Sequence, residues 1–332
     1  MQADIVIIGA GPAGLSLAGV LARKGLKIAI IDPASADDLE QPCDDGREIA
    51  LTRLSRELLE QWRQWQLLPD TDYAPLVEAQ VFDGASERPM QIQSRNGLDP
   101  LGWMVSNQAL RRVAYAAAKD LDGIAWHLSR RMNRIDINED AARVELDDGS
   151  CITARLAIAA DSRFSSARRA AGLSARMHDF GRTMLVCRMQ LQKPVPGVAW
   201  EWLDYGQTLA LLPLNADMAS VVITLPPAET ERLCALPAHE FEIEVERRFR
   251  HRLGSMRLIG NRYPYPLVGV RPDNIVSRRF ACIGDAAIGM HPITAHGYNL
   301  GLRGIALLGD RIQSALDGGK DFAGNEVLSG FQ

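Results

Sequence analysis

The sequence lacks the features that mark membrane-spanning, secreted and nucleic-acid-binding proteins. Its 332 residues contain no apolar run as long as a transmembrane helix. A strand pattern begins almost at the first residue, which leaves no room for a signal peptide. The net charge of −4 at pH 7 provides no basic field that would attract a nucleic acid. We therefore expect a cytoplasmic protein with no nucleic-acid partner.

Cysteine and histidine are also sparse. The five cysteines are scattered without CxxC spacing, and the six histidines do not cluster. This pattern indicates free thiols in a reducing compartment and no metal site. The remaining composition, 47% hydrophobic and 23% charged, is typical of a globular chain that is long enough for two domains.

A glycine-rich motif near the N-terminus organises the rest of the chain. Residues 5–8 form a short apolar run that suits a buried parallel strand, and residues 13–22 suit a tightly packed helix. Between them, Gly9, Gly11 and Gly14 stand in GxGxxG spacing. Such glycines permit a tight turn, close approach of the backbone to a pyrophosphate, and close helix–strand packing. The free N–H groups at the helix N-terminus then favour a phosphate.

An acid follows the motif at the expected distance. Asp32 comes directly after a second predicted strand at residues 27–31. It lies about twenty residues beyond the glycines, where an acid accepts hydrogen bonds from a ribose diol. A glycine-rich turn in an ordinary α/β unit is the alternative, and the strand, helix and acid together argue against it. The motif alone does not choose between NAD and FAD.

Further elements follow from periodicity and turn residues. Helices are predicted over residues 101–118, 165–172 and 238–253, with another that begins between residues 295 and 297. Strands are predicted over residues 77–82, 90–93, 124–127, 131–137, 142–146, 151–154, 156–160 and 280–283, those from 124 to 154 forming an antiparallel meander. Residues 183–264 have mostly the alternating pattern of an antiparallel sheet, and residues 33–46 are expected to be a surface loop.

Three separated segments carry a resemblance to a known family. They are GAGPAG with Asp32, AIAADSRFSSAR, and IGDAAIGMHPITAHGYNLGLRG. Together they resemble the FAD-dependent aromatic hydroxylases of the p-hydroxybenzoate hydroxylase fold. Within that group the chain is most similar to the ubiquinone-biosynthesis hydroxylases, which have stretches similar to DGREIAL, LGWMVSNQALRR, AWEWLDYGQTLALLPL and YPYPLVG. The resemblance covers nearly the whole chain.

The resemblance implies an α/β fold with two domains. One is a discontinuous FAD-binding domain, Rossmann-like and of the glutathione-reductase type, expected over residues 1–72, 98–180 and 268–332. The other is a mainly antiparallel β-sheet domain that binds substrate, expected over residues 73–97 and 181–267. Family members continue beyond the point that matches residue 332, so the resemblance also implies further C-terminal helices.

The same resemblance implies a set of cofactor contacts. The glycine motif would hold the FAD diphosphate, Asp32 the adenosine ribose, and the helix that begins near residue 297 the pyrimidine end of the flavin. The full set comprises Gly9, Gly11, Pro12, Ala13, Gly14, Asp32, Arg47, Asn107, Met132, Asp161, Gly284, Asp285, Pro292, Gly297, Tyr298 and Asn299. For Arg47, a solvated surface arginine is the alternative that the sequence leaves open.

The implied reaction is the hydroxylation of a phenolic, prenylated ring in ubiquinone biosynthesis. FAD would be reduced by NAD(P)H and would react with O2 to give a C4a-hydroperoxide, whose distal oxygen passes to the ring. No catalytic side chain is assigned, because the flavin performs the chemistry. Pro292 and His296 are candidates near the flavin ring, although His296 could equally be an exposed loop histidine. Pocket candidates on the second sheet are Trp200, Trp202, Leu212 and Pro213, with core packing as the alternative.

Departures from the family pattern leave alternatives open. Ser162 stands where the family has the glycine of an Asp-Gly pair, which weakens the argument for ordinary NAD(P)H docking at that turn. A flavin reductase or halogenase of the same fold is one alternative, although the WxWxIP stretch of halogenases is missing. A non-catalytic FAD-binding subunit of a biosynthetic complex is another. A substrate that lives in lipid would also favour contact with such a complex or with the inner membrane surface.

Overall fold

A computed structural model describes residues 1–94, 99–291 and 296–332, and its first half alternates strands and helices. The elements are β1 (Gln2–Ile8), α1 (Pro12–Ala22), β2 (Ile28–Asp32), α2 (Ala36–Glu40), β3 (Glu48–Leu51), α3 (Arg53–Gln61), β4 (Tyr73–Leu76), β5 (Glu78–Asp83), β6 (Met90–Gln93), β7 (Gly102–Ser106), α4 (Asn107–Ala118), β8 (Ile124–Leu128), β9 (Met132–Ile137), β10 (Ala142–Leu146), β11 (Cys151–Ala159) and α5 (Ser166–Ala170).

The second half contains the longest strands and ends in helices. Its elements are β12 (Ala175–Leu191), β13 (Val198–Asp204), β14 (Gln207–Pro213), β15 (Met218–Leu225), α6 (Pro227–Ala235), α7 (Ala238–Arg248), β16 (Met256–Pro272), β17 (Val276–Ser277), β18 (Phe280–Cys282), α8 (Gly297–Asp317) and α9 (Asn325–Phe331).

The first sheet has a parallel core, as the glycine motif predicts. Its strand order is β17-β18-β11-β1-β2-β8, and β10 and β9 extend it antiparallel from β11. The apolar run Ile5, Val6 and Ile7 is fully buried because both faces of the sheet are covered. On one face, apolar side chains of α1, α4 and α8 pack against the odd residues of β1, and a second apolar cluster covers the even ones. The predicted α/β class is confirmed.

The second sheet is mainly antiparallel, also as predicted. Its order is β16-β12-β15-β14-β13-β5-β6, with β13 and β5 as a parallel pair. Leu185, Leu211 and Ile223 point from one face into a core with Phe241 and Val245 of α7. Because side chains alternate along a strand, the residues between them form a second face, which we call the open face.

Two predictions were wrong about helices in the central part of the chain. Residues 101–118 form β7 and then α4, because a buried apolar run centred on Met104 pairs with β3 and β4 in a three-stranded sheet. Ser106 then caps α4 by accepting a hydrogen bond from the Ala109 N–H. The single helix predicted over residues 238–253 is the shorter α7, and it follows a separate helix, α6, that begins after Pro226.

Three further boundaries differ from the predictions. Residues 33–46 include the short helix α2, which Ser35 and Asp38 begin with a capping box. The strands predicted at 151–154 and 156–160 are one strand, β11, and β8 pairs parallel with β2 instead of joining the meander. The division into two domains stays a prediction. No helix of the described residues is both long and apolar enough to cross a membrane.

Ser162 has a backbone conformation that L-residues rarely adopt, with φ of 105°. Because glycine reaches such angles without strain, we expect Ser162→Gly to raise the free energy of unfolding by about 1 kcal/mol. Urea denaturation measures the change. The control is Ser162→Ala, which keeps the Cβ and should not raise the free energy of unfolding. A glycine variant that is no more stable than the alanine variant would contradict the assignment of strain.

Candidate active site

The first glycine loop is closed on one side and open on the other. A Cβ at Gly9, whose φ is +112°, would lie 2.5 Å from the carbonyl oxygen of Ala160, and a Cβ at Gly14 would lie 2.0 Å from the carbonyl oxygen of Gly9. No side chain fits at either position. A Cβ at Gly11 would meet no atom of the described residues within 4 Å. The loop therefore leaves free space beside Gly11, at the N-terminus of α1.

Asp32 lies beside this loop at the end of β2. Its Oδ2 accepts a hydrogen bond from the Ala10 N–H at 2.6 Å, and its Oδ1 accepts one from the Ala34 N–H at 2.8 Å. The acid thus fixes the glycine loop and keeps lone pairs on both oxygens for a further donor. The geometry suits the predicted ribose contact.

A second loop and a second helix N-terminus meet the first. Gly284, with φ of +55°, would place a Cβ 2.9 Å from the Cβ of Ala13 in α1, and a Cβ at Gly301 in α8 would lie 3.4 Å from the Gly284 Cα. The neighbouring Asp285 is partly exposed, with one carboxylate oxygen 3.9 Å from Arg163. A Cβ at Gly297, where α8 begins, would meet nothing within 4 Å among the residues that the structure describes. Two helix N-termini therefore border one region.

Arg47 and Asn107 are brought together by an acid that the sequence analysis missed. Both side chains donate to Oδ2 of Asp45, Arg47 at 2.7 Å and Asn107 at 2.7 Å. The Tyr265 hydroxyl donates to the backbone carbonyl of Asp45 at 2.6 Å. Burial opposes ionisation of Asp45, but Arg47 and Asn107 outweigh it and hold the pKa of that carboxyl below its usual value. The sequence feature that could have indicated this contact is the acid two residues before Arg47 in DGREIAL.

Two predicted contact residues use their side chains for structural hydrogen bonds. Asn299 accepts from the Thr52 N–H at 3.0 Å and from the Ser55 hydroxyl at 2.6 Å, and its amide donates to the Ala50 carbonyl at 2.8 Å. These bonds tie the first turn of α8 to β3 and α3. The carboxylate of Asp161 accepts from the Ala167 N–H at 3.1 Å, in the first turn of α5, which Ser165 caps.

The other predicted residues lie on several elements. Pro12 is the first residue of α1, and Met132 begins β9. His296 is exposed and precedes α8 without a capping hydrogen bond from its side chain. The hydroxyl of Tyr298 is buried without a hydrogen-bond partner among the described residues, and burial raises its pKa. Pro292 lies outside the described residues.

The pocket candidates on the second sheet separate into two faces. Trp200 and Trp202 belong to the core beneath α7, where the Trp202 indole N–H donates to the Gly84 carbonyl at 2.9 Å. Pro213 follows Leu211 on that same covered face. Leu212 lies on the open face. The core alternative therefore holds for the two tryptophans.

An ion pair joins the open face to the sheet that precedes α3. Arg188 of β12 donates to Oε1 of Glu48 in β3 through Nε at 3.0 Å and Nη2 at 2.8 Å. The Glu48 side chain is 2% exposed. Burial raises the pKa of Glu48 to about 7, although Arg188 opposes this shift. No motif in the sequence indicated this pair.

Without Arg188, the buried carboxylate of Glu48 should lower the stability of the folded protein. We expect Arg188→Met to lower the free energy of unfolding by about 3 kcal/mol at pH 8. The loss should shrink at pH 5, because a protonated Glu48 needs no cation. The double variant Glu48→Gln/Arg188→Met should regain most of the stability, and Arg176→Met, which breaks an exposed pair with Asp273, is the control. Urea denaturation at both pH values measures the effect, and an equal loss at both would contradict it.

Comparisons with known proteins agree with this geometry. The family model described as an FAD binding domain matches residues 2–326. The chain is 39% identical to ubiquinone hydroxylase UbiM of Neisseria meningitidis, covering 99% of this chain and 72% of the relative. It is 32% identical to ubiquinone hydroxylase UbiL of Rhodospirillum rubrum, and this match covers 99% of this chain and 77% of the relative.

A solved structure shows the same fold. PqsL of Pseudomonas aeruginosa, described as a probable FAD-dependent monooxygenase, superposes with a TM-score of 0.83 at 20% identity and covers 100% of this chain and 91% of its own. With the glycine loops, the second sheet and the relatives in agreement, the chain belongs to the family of FAD-dependent monooxygenases that includes the ubiquinone hydroxylases.

Proposed function

We propose that this enzyme hydroxylates the phenolic ring of a prenylated ubiquinone precursor, with NAD(P)H as electron donor. The observation that carries the proposal is the 39% identity to a ubiquinone hydroxylase across nearly the whole chain. The open face of the second sheet supports it, since its residues Ala210 and Val222 are partly exposed and offer an apolar surface to an aromatic ring.

The residues present fit an FAD molecule. The free space at Gly11 could receive the diphosphate. Free N–H groups in the first turn of α1 and the partial positive charge at the N-terminus of that helix would stabilise it. Asp32 would hold the adenosine ribose, and Asp285 the ribityl chain. The N-terminus of α8 would face the pyrimidine end of the flavin, where it stabilises negative charge. The remaining predicted contacts belong to the same proposal.

FAD, when bound and reduced, supplies the activation of O2 that the reaction requires. The chain's own residues position the partners and exclude water. Asp45 holds Arg47 and Asn107 in place, where they would face the diphosphate, and Asn299 fixes the first turn of α8. The Arg188–Glu48 pair sets the spacing between the open face and β3. An aromatic substrate would lie between that face and the flavin.

Two finer points belong to the proposal. A prenylated substrate dissolves in lipid, so the enzyme would collect it at the inner membrane surface or from a biosynthetic complex. NAD(P)H would deliver its hydride without the usual Asp-Gly turn, since Ser162 replaces the glycine. Consumption of NAD(P)H that depends on the phenolic substrate would support this route.

The space beside Gly11 gives a direct test of FAD binding. Gly11 has φ of −70°, which any residue adopts, and its Cβ would touch no atom in the described part of the chain. Gly11→Val should therefore fold but lose FAD affinity by about 100-fold, roughly 2.7 kcal/mol, because the side chain occupies the phosphate space. Gly14→Val, which overlaps the Gly9 carbonyl, should fail to fold.

Flavin fluorescence titration and circular dichroism measure the two properties separately. Gly11→Ala serves as a graded control, with a smaller loss of affinity. A folded Gly11→Val protein that binds FAD as tightly as the wild type would contradict the placement of the diphosphate.

The substrate is tested by the compounds that a cell accumulates without the enzyme. A deletion strain should accumulate a prenylated phenol that lacks one oxygen relative to the next quinone intermediate, as seen by mass spectrometry. Purified holoenzyme with NAD(P)H should convert that phenol to the hydroxylated product. Quinone intermediates unchanged by the deletion would overturn the proposed substrate, and NAD(P)H oxidation without product would favour a flavin reductase.

A further inference from the structure

Glu201 lies on the open face of the second sheet. Its neighbours Trp200 and Trp202 point into the core beneath α7, so the glutamate points the other way. The register places it opposite Ala210 of β14 and Val81 of β5. The same row continues through apolar side chains of β15 and β12. The carboxyl group is thus a polar group within an apolar row, with Val81 on one side and Ala210 on the other.

The carboxyl group of Glu201 has no hydrogen-bond or ion-pair partner among residues 1–94, 99–291 and 296–332. The buried acid on this side, Glu48, is paired with Arg188, whereas Glu201 is half-buried. The nearest side chains above and below Glu201 on the open face belong to β5, β13 and β14. They are Ala79, Asp83, Ala199, Leu203, Thr208 and Leu212. Burial alone, with no contribution from Asp83 or any other charge, raises the pKa of Glu201 to about 7.

A half-buried carboxyl without a partner is costly, and an apolar residue would fill the position at lower free energy. A ligand that donates a hydrogen bond would remove this cost. The open face is where the proposed function places the aromatic ring, and a phenolic hydroxyl is such a donor. The apolar row would contact the ring while the carboxyl meets its hydroxyl.

We propose, on the basis of the proposed function, that Glu201 accepts the hydrogen bond and then the proton of the substrate's phenolic hydroxyl. The O–H bond breaks, the proton forms a bond to a carboxylate oxygen of Glu201, and the electron pair stays on the phenolic oxygen. The ring becomes richer in electrons and more reactive toward an electrophilic oxygen. The step itself is a proton transfer and needs no oxidant.

Kinetics of the holoenzyme test this role with a short-chain prenylphenol as substrate. Glu201→Gln should lower kcat by about 100-fold, since it removes a proton acceptor, with little change in KM because the amide oxygen still accepts a hydrogen bond. Wild-type kcat should fall below pH 7 as Glu201 is protonated, and Glu201→Asp should keep this pH dependence at a lower rate. The exposed Glu87→Gln is the matched control and should behave as the wild type. A Glu201→Gln enzyme with wild-type kcat and pH profile would overturn the proposal.

Binding separates this proposal from the proposed function. Wild-type protein should bind the prenylphenol at least tenfold more tightly than its methyl ether, and Glu201→Leu should lose that preference. Equal binding of phenol and ether by the wild type would overturn the role of Glu201. Preferential binding without hydroxylated product from the wild type would instead overturn the proposed function.

Stability provides a readout that needs no ligand. The folded pKa of Glu201 lies above its unfolded value of 4.5, so its favourable contribution is present below pH 4.5 and is lost as the pH rises through about 7. The difference between the Tm of Glu201→Gln and the Tm of the wild type should therefore be more positive at pH 8 than at pH 5. A Tm difference that does not change with pH would show that the carboxyl is solvated, which would overturn the proposal.

Discussion

The cofactor site depends on one close approach of backbone to backbone. Gly14 passes so near to Gly9 that a Cβ would lie 2.0 Å from the Gly9 carbonyl oxygen, and Gly9 itself lies against Ala160 at the end of β11. Because both contacts require glycine, α1 can begin directly above the ends of β1 and β11. The free N–H groups and the open space at Gly11 follow from that position. Gly284 and α8 then pack on the same helix start, which places the second helix N-terminus beside the first.

The second constraint is the connection between the two sheets. Arg188 and Glu48 join the long strand β12 to β3, and the Tyr265 hydroxyl joins β16 to Asp45 in the segment before β3. The same segment holds Arg47, so the second sheet and the segment before β3 share one set of hydrogen bonds. One face of the second sheet is closed by α6 and α7, and the proposed function places the substrate on the open face. Catalysis in such an enzyme would rest on positioning and on the exclusion of water.

The sequence predicted the parts whose signals are local. The GxGxxG spacing, the acid at residue 32 and the alternation over residues 183–264 led to the correct fold class and sheet types. The sequence did not reveal that residues 101–106 pair as β7, since a strand of a small sheet depends on distant partners. The Asp45–Asn107 and Arg188–Glu48 contacts join residues 62 and 140 positions apart, which no spacing rule detects. Glu201 could not be distinguished from an exposed strand residue before the orientation of Trp200 and Trp202 was known.

Oxygen from O2 should reach the phenolic ring of the substrate in this protein. The decisive experiment supplies the holoenzyme with NAD(P)H, the prenylphenol and isotope-labelled O2 and analyses the product by mass spectrometry. We expect one labelled oxygen atom in the new hydroxyl group and none when the label is in water. A product labelled from water, or labelled hydrogen peroxide with an unchanged phenol, would contradict it.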